Sequence, residues 1–172
     1  TPASRGARVI LVHVLSERPV NQNTRAFLSP IIWNQQRIRE HGLSVRIFFK
    51  PTPDIGDCDV LVINGKYWSG PWENRREEAL AWLTTVRDAV RRIVFFDRSS
   101  TAGHLLVDLL PLVDAYCKTA LFRDRSIYLR PLYGSRLFCD YYHRKLGLED
   151  ETPSFSSAAP DMASLDKLQG SW

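Results

Sequence analysis

Short apolar runs alternate with polar and amphipathic stretches along most of the chain. The runs near residues 8–15, 43–49, 59–63 and 93–97 are rich in Val, Ile, Leu and Phe, and a shorter one follows at 113–118. Nearly continuous apolar runs of this length are typical of strands buried on both faces of a parallel sheet. The pattern therefore predicts βαβ units and an open parallel sheet, for which we expect the strand order 3-2-1-4-5.

Helices are predicted between these strands. The first carries an apolar stripe that includes Phe27, and Pro30 either begins this helix or kinks one that starts near Thr24. The second opens at residues 69–71 and repeats apolar positions at helical spacing over 79–90. Helices on both faces of a parallel sheet make a three-layer α/β/α, Rossmann-like domain.

The segment 93–104 is the most informative stretch, because an apolar run breaks there into an acid, three hydroxyls and a glycine. In open α/β sheets, ligands bind just outside the carboxyl ends of the strands. Asp97, Ser99, Ser100 and Thr101 are therefore candidate binding residues, and Asp97 is also a candidate catalytic residue. The simpler alternative is that one hydroxyl caps a helix and Asp97 only holds the loop in place.

Polar side chains follow the other predicted strands as well. The further candidate substrate-binding residues at these strand ends are Asn21, Asn23, Arg25, Asn64, Lys66 and Lys118. Amides, hydroxyls and cations with few acids suit a polyhydroxylated or phosphorylated ligand better than a hydride-transfer cofactor. We expect these residues to line one concave edge of the sheet.

Composition places the chain among globular proteins. Of its 172 residues 44% are hydrophobic and 24% are charged, and no apolar run approaches the length of a membrane span. Residues 1–8 lack the apolar core of a signal peptide. Cys58, Cys117 and Cys139 are too few and too scattered for a disulfide framework, so we expect a cytoplasmic protein.

Positive charge is concentrated in one region. Residues 118–145 carry seven Lys or Arg against two Asp, with tyrosines between them. Such a region fits phosphates, an acidic glycan, an anionic membrane or an acidic partner, although a merely solvated face is an equally good interpretation. Arg123 and Arg125 are candidate binding residues here. A nucleic-acid partner is not expected, because the region has no RNA-binding signature and no compact basic stripe.

Several catalytic and cofactor motifs are missing. The turn after the first strand has no GxGxxG, and Gly65-Lys66 is followed by Tyr67 rather than Ser or Thr, which excludes a phosphate loop. Ser99 lacks a GxSxG context, and the histidines show no metal-ligand spacing. We therefore predict neither a bound cofactor nor a metal.

Four segments together resemble the N-terminal half of bacterial glycosyltransferases with two Rossmann-like domains, the GT-B class. The order and spacing match from Arg8 to about Gly147, in the segments 23–30, 57–64, 95–103 and 124–133. In that class the N-terminal domain mostly binds the acceptor, and the C-terminal domain binds most of the nucleotide-sugar donor. The resemblance thus implies an acceptor-side domain over 1–147 and a linker, or the start of an interdomain segment, over 148–172.

The resemblance also implies partners and catalytic candidates. We expect a glycan or other hydroxyl acceptor, a nucleotide-sugar held mainly by a domain outside this chain, and a role in surface polysaccharide synthesis, with peripheral contact to the inner membrane face through the basic region. His13 and Asp97 are the candidate acceptor bases, although a core histidine suits the position of His13 better. The alternatives are a non-catalytic, flavodoxin-like module that binds an anionic ligand or partner, and a complete small enzyme acting on nucleotides or sugar phosphates.

Overall fold

The computed structural model describes residues 8–68 and 72–171, and these contain a six-stranded parallel sheet flanked by helices. The strands are β1 (Ile10–Leu15), β2 (Leu43–Phe48), β3 (Val60–Asn64), β4 (Arg92–Asp97), β5 (Ala115–Lys118) and β6 (Leu168–Gly170). The helices are α1 (Gln22–Trp33), α2 (Gln35–Glu40), α3 (Trp72–Arg87), α4 (Leu137–Leu146) and α5 (Met162–Leu165). Short 3-10 helices lie at Pro53–Gly56, Gly65–Trp68, Val107–Leu112 and Arg125–Leu129. The predicted α/β, Rossmann-like class is confirmed.

The strand order is β2-β1-β3-β4-β5-β6, which differs from the predicted 3-2-1-4-5. In the structure β1 pairs with β2 on one side and with β3 on the other. The residue pattern explains this arrangement. Ser44 and Arg46 are exposed within β2, as suits an edge strand, whereas the uninterrupted apolar run of β3 suits an inner position. The observed order of the first five strands is the flavodoxin-like one, which reverses between β1 and β3.

The chain divides into two compact units, residues 1–95 and 96–172. In the first unit, α1 begins after Asn21, whose side chain accepts a hydrogen bond from the backbone of Thr24. Pro30 lies inside α1 rather than at its start, and the helix gives way to α2 at Asn34. The predicted start of the following helix at 69–71 lies outside the described residues.

In the second unit the chain after β4 forms loops and 3-10 turns around a core of its own. Pro111 lies within the 3-10 helix Val107–Leu112. The last segment, predicted as a linker, contains α5 and ends in β6, which pairs in parallel with β5. The boundary at residue 147 stays a prediction.

Replacing Leu168 by Ala tests whether β6 is part of the cooperative fold. Leu168 is buried, so we expect the substitution to lower the free energy of unfolding by about 2–5 kcal/mol. Met162 is an exposed apolar residue of α5, and Met162→Ala should change stability by no more than about 0.5 kcal/mol. Urea unfolding of both variants measures the difference. Equal stabilities would show that β6 frays independently of the core.

Candidate functional site

In the first unit, the ends of β1 and β3 meet through two buried polar side chains. Asn64 Nδ2 donates to Ser16 Oγ over 3.0 Å, and both residues are fully buried. Asn64 Oδ1 accepts the backbone N–H of Lys66 over 3.2 Å. Asn64 therefore connects the two strand ends. A role for Asn64 in ligand binding stays a prediction.

The loop between β1 and α1 forms a second polar network. Asn21 caps α1 and also donates to Glu17 Oε1 over 2.9 Å, and Thr24 Oγ1 donates to the same carboxylate oxygen. Arg25 Nε donates to the carbonyl of Pro19 over 3.0 Å. Asn23 lies exposed in the first turn of α1. Within this loop the polar groups mainly satisfy one another, as a structural network does.

His13 is a core residue of the first unit. The residue is 7% exposed, and its ring packs against that of Phe48 at 4.7 Å between centroids. Nδ1 lies 2.8 Å from the carbonyl oxygen of Ile55, to which it can donate. A catalytic role for His13 stays a prediction, and its burial and partners match the alternative of a hydrogen-bonded core histidine.

The second unit contains a buried ion pair at the ends of β4 and β5. Lys118 Nζ lies 2.9 Å from Asp97 Oδ2, and the two side chains are 0% and 6% exposed. The hydroxyl of Tyr116 donates to the same oxygen over 2.8 Å. Asp97 Oδ1 accepts the backbone N–H of Ser99 over 2.7 Å, while Lys118 also donates to Ser99 Oγ. The pair thus fixes the first residues of the loop that follows β4.

The electrostatics of this cluster keep Asp97 charged. Burial by itself would raise the pKa of Asp97, but the charge of Lys118 and the hydrogen bonds from Lys118, Ser99 and Tyr116 outweigh it and hold the pKa below its ordinary value. Burial and the nearby Asp97 carboxylate raise the pKa of Tyr116 well above its ordinary value. Asp97 therefore acts here as an anionic acceptor that positions its neighbours, and its use as an acceptor base stays a prediction.

The loop after Asp97 lines a cavity. This cavity has a volume of about 390 Å³ and is lined by residues 100–103, Phe122 and residues 135–138. Tyr128 supports the loop, because its hydroxyl donates to the carbonyl of Ala102 over 2.9 Å and accepts the N–H of Phe122. Gly103 packs so closely on the neighbouring chain that an added Cβ would lie 2.5 Å from the carbonyl oxygen of Ser135. Ser100 and Thr101 thus lie on a supported wall of the cavity.

Arg123 and Arg125 lie beside this loop in sequence and differ in environment. Arg123 is exposed, whereas Arg125 is half-buried at the start of the 3-10 helix that contains Tyr128. The Nη1 atom of Arg125 is buried and has no hydrogen-bond partner among the described residues. A buried guanidinium donor without a partner is unfavourable, so its presence calls for an explanation.

The sequence analysis overlooked several members of these networks. Tyr116 was detectable in principle, because it lies two residues before Lys118 on β5 and therefore on the same face of the strand. Glu17, which accepts hydrogen bonds from Asn21 and Thr24, was not among the candidate residues. Tyr128 lies far from Ala102 in sequence, and no local pattern indicates their contact.

The described residues provide neither a metal site nor a membrane-spanning helix. Within residues 8–68 and 72–171, no group of His, Cys, Asp and Glu is arranged to hold a metal ion. An Asp-x-Asp sequence, Asp57-Cys58-Asp59, precedes β3, but Asp59 is occupied by the guanidinium of Arg8 and the N–H of Leu11. In the same described ranges, no helix combines the length and the apolar character that crossing a bilayer requires.

The buried pair leads to a stability prediction. Lys118→Met should lower the free energy of unfolding by about 3–5 kcal/mol, because it leaves the Asp97 carboxylate buried without its cation. Asp97→Asn combined with Lys118→Met should recover much of this loss, since no charge then remains. Because the pKa of Asp97 is lowered from 3.8, the contribution of the pair is complete above that pH and is lost as pH falls through the folded-state pKa. Denaturant unfolding at several pH values measures it, and a loss below about 1 kcal/mol for Lys118→Met would contradict this description.

The close approach at Gly103 leads to a second prediction. Gly103→Ala should destabilise the second unit by about 1–3 kcal/mol, because the new methyl group would overlap the backbone oxygen of Ser135. Gly170→Ala is the matched control, since nothing lies within 4 Å of its Cβ position. Thermal unfolding of the two variants is the measurement. Equal melting temperatures would contradict this prediction, because they would mean that the loops at Gly103 and Ser135 can move apart with little loss of stability.

Two comparisons with known proteins were without a match. No model of a protein family matches this chain, and no curated protein matches it significantly. Its function is therefore inferred from the side chains that the fold brings together.

Proposed function

We propose that the chain is the acceptor-side domain of a glycosyltransferase that builds a surface polysaccharide or related glycan. The doubly wound parallel sheet is a fold that binds ligands at the carboxyl ends of its strands. The segments between Arg8 and Gly147 resemble GT-B enzymes. This resemblance is the reason for proposing glycosyl transfer as the reaction. The nucleotide-sugar would be held mainly by a second domain outside this chain.

The cavity beside the loop after β4 is the proposed acceptor site. Ser100, Thr101 and Arg136 are among the residues that line it, together with Phe122 and Phe138. Hydroxyls and a cation bind sugar hydroxyls and anionic substituents, while aromatic rings pack against the apolar faces of sugar rings. The Asp97–Lys118 pair would act as a positioning element that holds the loop in one conformation.

The unpartnered donor on Arg125 is the observation that carries this proposal. A guanidinium N–H that is buried without a partner becomes favourable when an anionic or hydroxyl oxygen binds to it. Arg125 is not among the residues that line the cavity; it interacts with Tyr128, whose hydroxyl in turn contacts the loop at Ala102. A phosphorylated or otherwise anionic acceptor would supply the missing oxygen.

A second candidate function is a non-catalytic binding module of the flavodoxin-like type. The strand order favours it, because that order has its ligand crevice between β1 and β3. In this structure, however, Ser16 and Asn64 at those strand ends are buried and bonded to each other. We therefore prefer the loop after β4 as the binding site.

Arg125→Gln tests the proposed site. The substitution should weaken binding of glucose 1-phosphate by about tenfold or more, because it removes a charge-assisted hydrogen bond. It should change stability by less than about 1 kcal/mol, since the lost Nη1 has no partner in the unbound protein. Ligand-observed NMR measures the affinity, which we expect in the millimolar range, and thermal unfolding measures stability. A large fall in melting temperature with unchanged binding would instead assign Arg125 to the fold.

Two controls complete this experiment. Arg37→Gln removes an exposed arginine of α2 and should leave binding unchanged, while Arg123→Gln should have a smaller effect than Arg125→Gln. The chain alone should release no nucleotide when it is incubated with nucleotide-sugars and saccharide acceptors, because donor stabilisation and water exclusion need a second domain. Sustained transfer would favour a complete small enzyme instead.

A further inference from the structure

Helix α4 exposes an unusual amount of apolar surface. Between 41% and 58% of each large side chain is exposed at Leu137, Phe138, Tyr141, Tyr142, Leu146 and Leu148. Those within the helix fall in two adjacent rows at i, i+4 spacing, and so lie on one side of it. Single exposed apolar residues are ordinary, whereas a contiguous set marks a surface that is covered by something. We call these six residues the α4 surface.

The opposite side of α4 is fixed to the second unit. Asp140 is 4% exposed and accepts the backbone N–H of Tyr133 over 3.2 Å. The ring of His143 stacks on that of Tyr133, with centroids 4.2 Å apart. These contacts hold the helix in its orientation, so the α4 surface cannot turn inward.

Positive charge lies directly beside the α4 surface. Arg130, Arg144 and Lys145 line an open groove of about 650 Å³ together with Leu137 and Tyr141. The carboxylate of Asp140 holds Arg130 at 2.7 Å and Arg144 at 3.3 Å. Lys145 Nζ donates to Tyr141 Oη over 2.6 Å. One buried acid therefore positions two guanidinium groups, and the groove as a whole stays cationic.

We propose that the α4 surface and its cationic groove dock onto an anionic lipid bilayer. Lipid headgroup phosphates supply the anions that Arg130, Arg144 and Lys145 would bind. The acyl region just beneath supplies the apolar environment that Leu137, Phe138 and Leu146 lack. Tyrosines suit the boundary between the two, because each has an apolar ring and a polar hydroxyl. This inference gives a defined surface and a lipid charge to the membrane contact expected of the basic region, and it needs no glycosyltransferase activity.

The bilayer explains both features of the surface at once. A soluble phosphate would account for the cations of the groove and leave the exposed leucines and aromatic rings unexplained. An apolar protein surface would cover those side chains but would leave Arg144 and Lys145 facing a partner without charge. A partner that presents anions above an apolar layer complements the whole surface, and a lipid bilayer has that order.

Vesicle binding tests the proposal on the whole chain. The protein should sediment with phosphatidylcholine vesicles that contain phosphatidylglycerol, and much less with phosphatidylcholine alone. High salt should weaken the binding. Arg144→Glu with Lys145→Glu should reduce it by about tenfold or more, and Tyr142→Ser with Leu146→Ser should reduce it severalfold.

Matched controls separate this surface from general effects of charge and hydrophobicity. Arg37→Glu with Arg39→Glu makes the same change of net charge on exposed positions of α2, and Trp33→Ser removes an apolar residue that is 81% exposed on α1. Both controls should bind vesicles like the parent protein, and circular dichroism checks that every variant folds. Equal losses in the controls, or no binding to anionic vesicles, would overturn the proposal. Binding of inorganic phosphate without binding of vesicles would overturn it in favour of a soluble-anion site.

Discussion

The second unit depends on one buried ion pair, between Asp97 at the end of β4 and Lys118 at the end of β5. Removing two charges from water is unfavourable unless they are matched closely and their other hydrogen bonds are made. Here Tyr116 and Ser99 provide those further bonds. The pair consequently determines where the chain leaves β4 and positions the first residues of the following loop.

The two units treat their polar strand ends differently. In the first unit Asn64 and Ser16, like Asn21 and Glu17, bond to one another. Hydrogen-bond networks in which the polar groups satisfy one another are most simply interpreted as structural. Two buried side-chain atoms of the described residues have no hydrogen-bond partner, Thr52 Oγ1 in the first unit and Arg125 Nη1 in the second. The candidate site is placed near Arg125 because a guanidinium donor forms the stronger, charge-assisted hydrogen bond, and polarity at a strand end alone does not identify it.

Strand positions could be predicted from the sequence because apolar runs of β1 to β4 are long and bounded by polar turns. Strand order was harder to predict, because it depends on whether β2 or β3 lies at the edge of the sheet. Ser44 and Arg46 indicate only weakly that β2 is the edge strand. The strand β6 could not be foreseen, because three residues after a Ser- and Pro-rich stretch have no periodicity. In the site, Asp97 and Lys118 were each selected from the sequence, and the predicted order already placed their strands side by side, but no residue pattern indicated that the two side chains pair with each other.

The contact between Gly103 and Ser135 has a consequence for how such a domain diversifies. The loop after β4 and the turn at 134–135, where both residues have positive φ angles, touch through backbone atoms with no room for a side chain between them. An insertion or a larger residue in either loop would displace the other. Descendants of this fold would therefore acquire new specificities by exchanging side chains on a conserved frame, at positions such as 100, 101 and 136–138, and not by changing loop length.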